Sequence, residues 1–516
     1  MSLITEKNRK WWGLGALMPS LAMVFTDQTV LPVALPTIQK YLEATDVQLQ
    51  WCINSYLLVT AVLVLAGGKL GDRIGYRRAY TLGMVIFALA SALCGLAPDV
   101  IWLIAARALQ GVGAALMVPA TTPLLMTLFS PHERGKATGF SVSISSLFLI
   151  FGPLIGGYFT QELSWRWIFW INLPIAILGL VLALLLLPRS SKGEQKFDPL
   201  GFIFFVISCS LLVIVIMQGT EWGWTSFKTA TLSVLCLVAA FFLFWREKKA
   251  AHPFLDLKLF RLPIYKAVNI SIFVTQFILM ITVYRAIFFQ DVMDWSPLKT
   301  GWIFFISSSP VFYISPVGGW LSDRFGPKLP LAVGFTLLIF SFLWLAFFVQ
   351  SPFKIVLFLG FIAFGTGVPL ILTPSYASAM NAVPPNKIGV AFGTVATMRT
   401  LASTLGVAII AAVTGSVQYS SFSSLIQRNE ETRSLNLSAL EGLASGAQSA
   451  KEYLQSLSMD TSRLVLQYLK ESEIAGFFYT HLGIGLALIV AFSCVFVLYH
   501  RKSAHHLPEM PGEGWD

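Results

Sequence analysis

The chain has 516 residues, of which 56% are hydrophobic and only 12% are charged. This charge density is about half that of an ordinary soluble domain, which argues against a soluble enzyme. The formal net charge of +10 would suggest a nucleic-acid partner on a soluble domain. Here the basic residues lie in short loops between apolar runs, so they indicate membrane topology and no nucleic-acid partner.

Fourteen apolar runs are long enough to cross a bilayer, because a helix needs about 20 apolar residues to span ~30 Å of hydrocarbon. In chain order, the predicted spans are residues 13–35, 50–68, 79–97, 101–128, 138–160, 167–187, 199–217, 229–245, 267–289, 301–320, 329–349, 354–378, 389–413 and 477–499. An even number of spans places both termini on one side. Most Lys and Arg residues of the loops lie on that side, so the positive-inside rule predicts cytoplasmic termini.

A glycine-rich turn occurs twice in the chain. Residues 67–75 (GGKLGDRIG) and 318–326 (GGWLSDRFG) are identical at six of nine positions. Each copy follows the second span of a six-span group. We therefore predict an all-α membrane protein with two six-helix halves, residues 1–190 and 251–500, and two inserted spans within 191–250. Chance recurrence of glycine-rich turns is the alternative.

Two segments outside the spans are polar. Residues 414–476 lie on the outer side and contain a helical-looking stretch, which we interpret either as an amphipathic helix on the membrane or over the pathway, or as a solvated loop. The tail, 501–516, is expected to be cytoplasmic and disordered. Its pair His505 and His506 is an ordinary tail pair rather than a metal site, and the chain has no motif for a cofactor.

Charged residues inside the spans are the first functional candidates, because a charge at a helix centre costs about 2.5 to 3.5 kcal/mol on insertion scales and usually faces a cavity or a partner. These residues are Asp27, Arg107, Arg285 and Arg399. Asp27 is the only acid in the interior of any span. A carboxyl group in a low-dielectric cavity, opposed by a nearby cation, can bind and release a proton near neutral pH, so we predict proton handling by Asp27. The alternative is that Asp27 caps or kinks its helix beside Pro32 and Pro36.

The three arginines have less specific predictions. Arg107 and Gln110 share a helix face at i and i+3, and the small residues after them would let another helix approach, which favours a coupling or gating role over simple pairing. Gln110, Arg285 and Arg399 are candidates for the substrate cavity. Arg285 and Arg399 could steer an anionic substrate or neutralise buried carboxylates, but snorkelling or structural pairing is equally consistent with the sequence.

Two further groups indicate conformational change. In the repeated turns, an acid at a helix end beside arginines and glycines could hold and release a neighbouring helix terminus. The predicted gating residues are Gly68, Asp72, Arg73, Gly75, Arg77, Arg78, Asp323 and Arg324. In the fifth span, small and helix-bending residues favour contact with the other half, and general helix packing is the alternative. These residues are Gly139, Gly152, Pro153, Gly156 and Gly157.

Together these motifs resemble the major facilitator superfamily, and specifically its fourteen-span drug:proton antiporter branch of EmrB-like and QacA-like exporters. Residues 68–78 resemble the superfamily's loop 2-3 signature, and 107–111 its proton-coupling motif in helix 4. Residues 152–157 are similar to the exporter motif of helix 5, and 27–36 to the helix 1 motif of the fourteen-span branch.

The resemblance implies a rocker-type transporter of the bacterial plasma (inner) membrane that exports a small-molecule substrate from a central cavity in exchange for protons. Some relatives work with a periplasmic adaptor. The sequence leaves open a dedicated transporter of one metabolite, such as a siderophore, an amino acid or a sugar derivative. It contains no zinc-protease, serine-hydrolase or nucleotide-binding signature, so no enzyme is predicted.

Overall fold

The computed structural model describes residues 9–130, 133–188, 198–249, 257–351, 353, 355–383, 388–441, 443 and 448–500. Within these ranges every regular element is a helix. The long helices, labelled in chain order, are α1 (Arg9–Leu42), α2 (Asp46–Ile74), α3 (Tyr76–Gly95), α4 (Val100–Leu128), α5 (Arg134–Tyr158), α6 (Trp167–Leu186), α7 (Pro199–Trp222), α8 (Phe227–Lys249), α9 (Pro263–Val292), α10 (Pro297–Ser308 and Pro310–Phe325), α11 (Lys328–Phe348), α12 (Val356–Asn381), α13 (Ile388–Arg428) and α14 (Met459–His500). The predicted tail 501–516 lies outside the described residues.

Thirteen of the described helices are individually long and apolar enough to cross a membrane. The fourteenth predicted span, 301–320, falls on α10, which is divided at Ser309. Pro310 has no N–H to donate, but Ser309 keeps helical φ and ψ values of −56° and −34°, so the two pieces follow one another closely. Taken together they supply the fourteenth crossing, which confirms the predicted all-helical membrane fold.

Helices α1 to α6 pack mainly on one another. The α4 helix lies against α2 and α3, while α1 lies against α5 and α6. The close approach of α3 to α4 requires glycine, because a Cβ atom at Gly113 would lie 2.6 Å from the backbone nitrogen of Phe87. The Tyr80 hydroxyl donates to the carbonyl of Ala16 at 2.9 Å and ties α3 to α1.

Helices α9 to α14 form a second packed group, in which α11 contacts α12 and α14, and α9 contacts α13. The two groups meet where α5 lies against α10, α2 against α13, and α1 against α9. At one end of this interface Lys40 of α1 forms a 2.8 Å ion pair with Asp291 of α9. Nearby, Gln290 donates to the carbonyl of Val33 at 2.8 Å, so the two groups are joined at the end where α1 terminates.

The helices α7 and α8 pack on each other, and α7 also contacts α2 and α13. It therefore covers a line where the two groups meet. Arg246 of α8 donates to Asp198, which precedes α7, at 3.0 and 3.2 Å. Burial acts to raise the pKa of the Asp198 carboxyl, but the hydrogen bonds from Arg246 and from the backbone N–H groups of Gly201 and Leu200 outweigh it, so the pKa is lowered.

The segment between the apolar spans of α13 and α14, predicted to be on the outer side, is helical where it is described. Both helices continue into this region beyond their apolar spans, and the short helices Leu437–Glu441 and Gln448–Ser456 lie between them. A small cluster of buried apolar side chains holds these elements together. It is formed by Phe422, Ile426, Leu440 and Val465. The described part of this segment therefore consists of packed helices, and its position relative to the membrane stays a prediction.

Candidate functional site

Asp27 of α1 and Arg107 of α4 form a buried ion pair. Arg107 Nη1 donates to Asp27 Oδ1 at 2.9 Å and to Oδ2 at 2.7 Å. Each side chain is only 2% exposed. Both were candidates because they are charged residues within spans, and the structure shows that they are partners.

The helix ends and glycines of α4 place Arg107 in this position. The Asp99 side chain caps α4 by accepting from the backbone N–H of Trp102 at 2.8 Å, which starts the helix two turns before Arg107. One turn after Arg107, a Cβ atom at Gly111 would lie 2.7 Å from the carbonyl oxygen of Tyr56. Glycine therefore lets α2 approach α4 closely at the level of the ion pair.

Gln110 is hydrogen-bonded to both members of the pair. Its Oε1 accepts from Arg107 Nη1 at 2.7 Å, and its Nε2 donates to Asp27 Oδ1 at 3.2 Å and to Ser91 Oγ at 3.4 Å. Ser91 of α3 also accepts from Asn172 of α6 at 2.9 Å. Gln110 is fully buried, so in this structure it belongs to the network around the ion pair and does not line an open cavity.

Arg107 has partners besides the carboxylate. Its Nε donates to the Cys52 carbonyl at 3.0 Å, and its guanidinium lies 4.4 Å from the centre of the Tyr56 ring. Tyr56 also interacts electrostatically with Arg399 of α13, which is partly exposed. The predicted residue Arg399 therefore lies near the ion pair, across the contact between α2 and α13.

The charge of this site depends on the protonation state of Asp27. The Asp27–Arg107 pair is neutral overall, whereas protonation of Asp27 would leave an uncompensated cation in a buried site. Such a loss of a partner costs about 3 to 5 kcal/mol. Gln110 and the Cys52 carbonyl would still accept hydrogen bonds from Arg107, so these bonds would partly stabilise the guanidinium. The protonated carboxyl group would no longer be held by the ion pair.

Arg285 of α9 lies in a second buried site, away from Asp27. It is 2% exposed and its Nε donates to Nε2 of His481 in α14 at 3.1 Å. The rings of Phe342, Phe361 and Phe364 surround its guanidinium, with centres 4.8 to 5.7 Å away. No described hydrogen-bond partner reaches Arg285 Nη2.

His481 was not among the residues predicted from the sequence. It lies within the predicted span 477–499, but among ionisable residues within spans only acids and arginines were candidates. A polar, ionisable group in hydrocarbon is itself a signal of a functional site, so the residue could have been found by including histidine.

The repeated turns share a backbone conformation. Gly75 and Gly326 occupy equivalent positions and have φ values of +94° and +78°, which explains why both turns need glycine there. In the first turn the Tyr76 hydroxyl donates to Asp72, and Arg77 donates to the Leu184 carbonyl of α6.

In the second turn, the guanidinium of Arg324 lies 5.4 Å from the ring centres of both Trp320 and Phe325. No ion pair joins Arg324 to Asp323 among the described residues, so the two turns share a backbone conformation but differ in their side-chain contacts.

The α5 glycines contact both helix groups. A Cβ atom at Gly152 would lie 1.9 Å from Thr29 Oγ1 of α1, and one at Gly156 would lie 2.7 Å from the Val30 carbonyl. One at Gly157 would lie 2.6 Å from the Pro297 carbonyl of α10. This agrees with the expectation that α5 contacts the other half.

The other two residues of the predicted exporter motif differ in their surroundings. The Pro153 carbonyl faces α10, because a Cβ atom at Gly301 would lie 2.5 Å from it. A Cβ atom at Gly139 would have no neighbour within 4 Å, so packing does not require glycine there.

Comparisons with known proteins agree with this architecture. The sequence model of the Major Facilitator Superfamily matches residues 17–202 and 197–407. "Multidrug resistance protein Stp" of Mycobacterium tuberculosis is 34% identical over 400 residues, which cover 76% of this chain and 74% of that protein. "Riboflavin transporter RibZ" of Clostridioides difficile is 31% identical over 403 residues, covering 78% and 87% respectively.

A solved structure has the same fold. It is a bacterial homologue of the human lysosomal transporter Spinster in an inward-facing, occupied conformation, with a TM-score of 0.63 and 15% identity over 98% of this chain and 100% of that chain. The many apolar helices, the family match and the similarity to a bacterial multidrug resistance protein all indicate a multi-pass membrane protein of a bacterium. The chain therefore belongs to the major facilitator superfamily of transporters.

Proposed function

We propose that the protein is a proton-coupled exporter of amphipathic or toxic small molecules, in which Asp27 binds the proton and Arg107 is its partner in the deprotonated state. The observation that carries this proposal is the ion pair between them, with both side chains 2% exposed and no bulk water to compensate a change in charge. Protonation of such a pair must be accompanied by rearrangement of its surroundings.

The α5 helix supplies a route from the ion pair to the interface between the helix groups. Gly152 and Gly156 lie against α1 at Thr29 and Val30, two and three residues after Asp27. On the same helix, Gly157 lies against α10 of the second group. A movement of α1 when Asp27 changes its charge would therefore displace α5 and alter its contact with α10.

This coupling fits an alternating-access cycle of two six-helix halves, residues 1–190 and 251–500, with the pair α7 and α8 of segment 191–250 inserted between them. The Lys40–Asp291 ion pair joins the two groups at one end of the interface in the described state. The repeated turns would act as gating elements at the opposite end. In this proposal both termini are cytoplasmic, the protein lies in the plasma membrane of a bacterium, and the exported compound leaves as a proton enters.

The similarity to Stp supports efflux of several compounds, because that relative is named as a multidrug resistance protein. A dedicated transporter of one flat metabolite is the second candidate. It is favoured by the similarity to RibZ, a protein named as a riboflavin transporter, over 78% of this chain.

The test is substrate-induced proton movement in proteoliposomes with an imposed pH gradient. A panel of lipophilic cations, neutral drugs, organic acids and riboflavin would be compared between the parent protein and Asp27→Asn. Asp294→Asn is the matched control, because Asp294 is exposed and has a φ of +55°, which asparagine tolerates.

We expect at least one compound to dissipate the gradient with the parent and with Asp294→Asn, but not with Asp27→Asn. Transport of an identified compound without proton flux, or with equal flux in Asp27→Asn, would refute the role of Asp27. A response to riboflavin alone would favour the second candidate.

A further inference from the structure

The second buried site has a cation for which the described residues supply no counter-anion. Arg285 is 2% exposed, and no acid lies within ion-pair distance of it among the described residues. Arginine stays protonated in proteins, so a full positive charge is buried there. An uncompensated buried charge is strongly unfavourable, which makes the site incomplete as it stands.

His481 holds the guanidinium without neutralising it. Its Nε2 accepts from Arg285 Nε at 3.1 Å, so that ring nitrogen carries no proton. The other ring nitrogen, Nδ1, lies 2.8 Å from the Phe477 carbonyl and must be the one that donates. The imidazole is therefore neutral. It fixes one edge of the guanidinium, while Nη2 has no hydrogen-bond partner in the part of the chain that the structure describes.

The surroundings of Arg285 are aromatic on several helices. Phe342 of α11 and Phe361 and Phe364 of α12 lie around the guanidinium, and Phe477 stacks on His481 with ring centres 3.8 Å apart. Ring faces attract cations, so they partly stabilise Arg285, but they supply no hydrogen-bond acceptor for Nη2. The group that completes this site must therefore accept a hydrogen bond, carry negative charge and tolerate aromatic neighbours.

The repeat in the sequence places this site opposite the ion pair in the other helix group. The two glycine-rich turns are 251 positions apart, and the same separation relates Ser91 to Phe342 and Gln110 to Phe361. Ser91 and Gln110 belong to the polar network around Asp27, whereas their counterparts surround Arg285. The first helix group thus supplies a carboxylate, Asp27, for its buried arginine. Among the described residues, the second group supplies none for Arg285.

We propose that Arg285 and His481 form a binding site for the carboxylate or sulfonate group of an aromatic amphiphile. This inference rests on the proposed transport function and assigns it a substrate class, organic anions with a ring system. Because Arg285 is buried in the described state, the anion enters in a state in which the helices around Arg285 have separated. Its binding then stabilises that state.

The test uses 2-naphthoate and its neutral analogue 2-naphthamide, titrated calorimetrically into the purified protein. Phosphatidylcholine nanodiscs are used because they contain no anionic headgroup that could compete. A charge-assisted hydrogen bond corresponds to about a tenfold to hundredfold difference in affinity, so the parent should bind naphthoate at least tenfold more tightly than naphthamide. No preference in the parent would overturn the proposal.

Two substitutions of Arg285 test whether its positive charge causes the preference for naphthoate. Arg285→Lys should retain a preference for naphthoate, and Arg285→Met should lose it. Arg166→Met is the matched control, because Arg166 also lies against aromatic rings but donates to the Ala97 carbonyl. A preference that survives in Arg285→Met, or disappears in Arg166→Met, would contradict the assignment.

Thermal stability tests whether Arg285 is structural instead. Removing a buried, unpaired charge should leave ligand-free Arg285→Met at least as stable as the parent, whereas loss of a structural cation would lower the unfolding temperature. A third variant, His481→Glu, supplies an internal carboxylate beside Arg285. It should raise the unfolding temperature and abolish the preference for naphthoate, and retention of that preference would refute the site.

The outcomes also separate this site from the proposed function. If ethidium drives proton movement that depends on Asp27 but naphthoate shows no binding that depends on Arg285, the coupling stands and the anion site fails. If naphthoate binds through Arg285 but no compound moves protons, the site stands and the proton-coupled function fails.

Discussion

The ion pair of Asp27 and Arg107 makes a prediction about stability that is independent of any substrate. In Asp27→Asn the buried guanidinium loses its only carboxylate partner among the described residues. Breaking a buried pair on one side costs about 3 to 5 kcal/mol. Arg107 keeps its hydrogen bonds to Cys52 and Gln110, so we expect the lower end of this range, about 3 kcal/mol.

The reverse change, Arg107→Gln, leaves a buried carboxylate whose remaining hydrogen bond comes from Gln110 at 3.2 Å. Since only this one donor remains, we expect a loss at the upper end, about 5 kcal/mol, unless Asp27 takes up a proton. The double variant Asp27→Asn/Arg107→Gln has no charge at either of these two positions. It should be more stable than Arg107→Gln alone, with a coupling energy of at least about 2 kcal/mol between the two positions.

The assay is a double-mutant cycle on the free energy of unfolding, measured by titration with sodium dodecyl sulfate in mixed micelles at neutral pH. Asp294→Asn serves again as the control for an acid-to-amide change at an exposed position. Additive effects of the two substitutions would refute the reasoning, because they would mean that the two charges do not stabilise each other in the membrane protein.

Three further predictions concern other parts of the molecule. Gly157→Leu should reduce the transport rate at least tenfold, because the leucine side chain would collide with α10, whereas Gly139→Leu should transport at the parent rate. Equal transport rates of the two variants in vesicles would contradict the proposed coupling through α5. Asp198→Asn should destabilise the protein by about 1 to 2 kcal/mol at pH 7. This difference should begin to shrink as the pH falls below the ordinary aspartate pKa of 3.8 and should disappear once the pH is below the lowered pKa of the folded state, because only the ionised carboxyl stabilises the fold. If one proton on Asp27 enters for each monovalent anion that leaves from Arg285, two charges move across the membrane in each cycle. An inside-negative potential of 100 mV should then favour export by about 4.6 kcal/mol. An export rate that does not change when valinomycin imposes such a potential would exclude this stoichiometry.

Hydropathy predicted the number and order of the crossings, because burial of apolar side chains in lipid requires long uninterrupted runs. It could not predict where α13 ends or where α14 begins. The predicted spans 389–413 and 477–499 are the apolar parts of helices that extend over 388–428 and 459–500. The extra turns are polar on one face and are stabilised by the small outer cluster, which depends on contacts between segments that hydropathy does not consider.

The charged residues of the two buried sites could be predicted from the sequence, but their partners could not. Asp27 and Arg107 could be selected from the sequence because a charge in hydrocarbon is unfavourable, but their pairing depends on how α1 and α4 rotate against each other. Arg285 could be selected for the same reason. Its neutral partner His481 lies 196 residues further along the chain, and no spacing rule connects them.

The two arginines show why a list of charged residues does not by itself define a mechanism. Arg107 and Arg285 are both fully buried, and each lies against aromatic rings. Among the described residues, Arg107 has a carboxylate partner at 2.7 Å, and the side-chain hydrogen-bond partner of Arg285 is a neutral imidazole. Since an uncompensated buried cation is unfavourable, the first arginine can respond to a proton that removes its partner's charge, while the second can respond to a ligand that brings a negative charge. In the proposed cycle, proton binding on α1 and anion binding on α9 change the net charge of their surroundings in opposite directions, so each ligand changes the electrostatic balance of a different helix group.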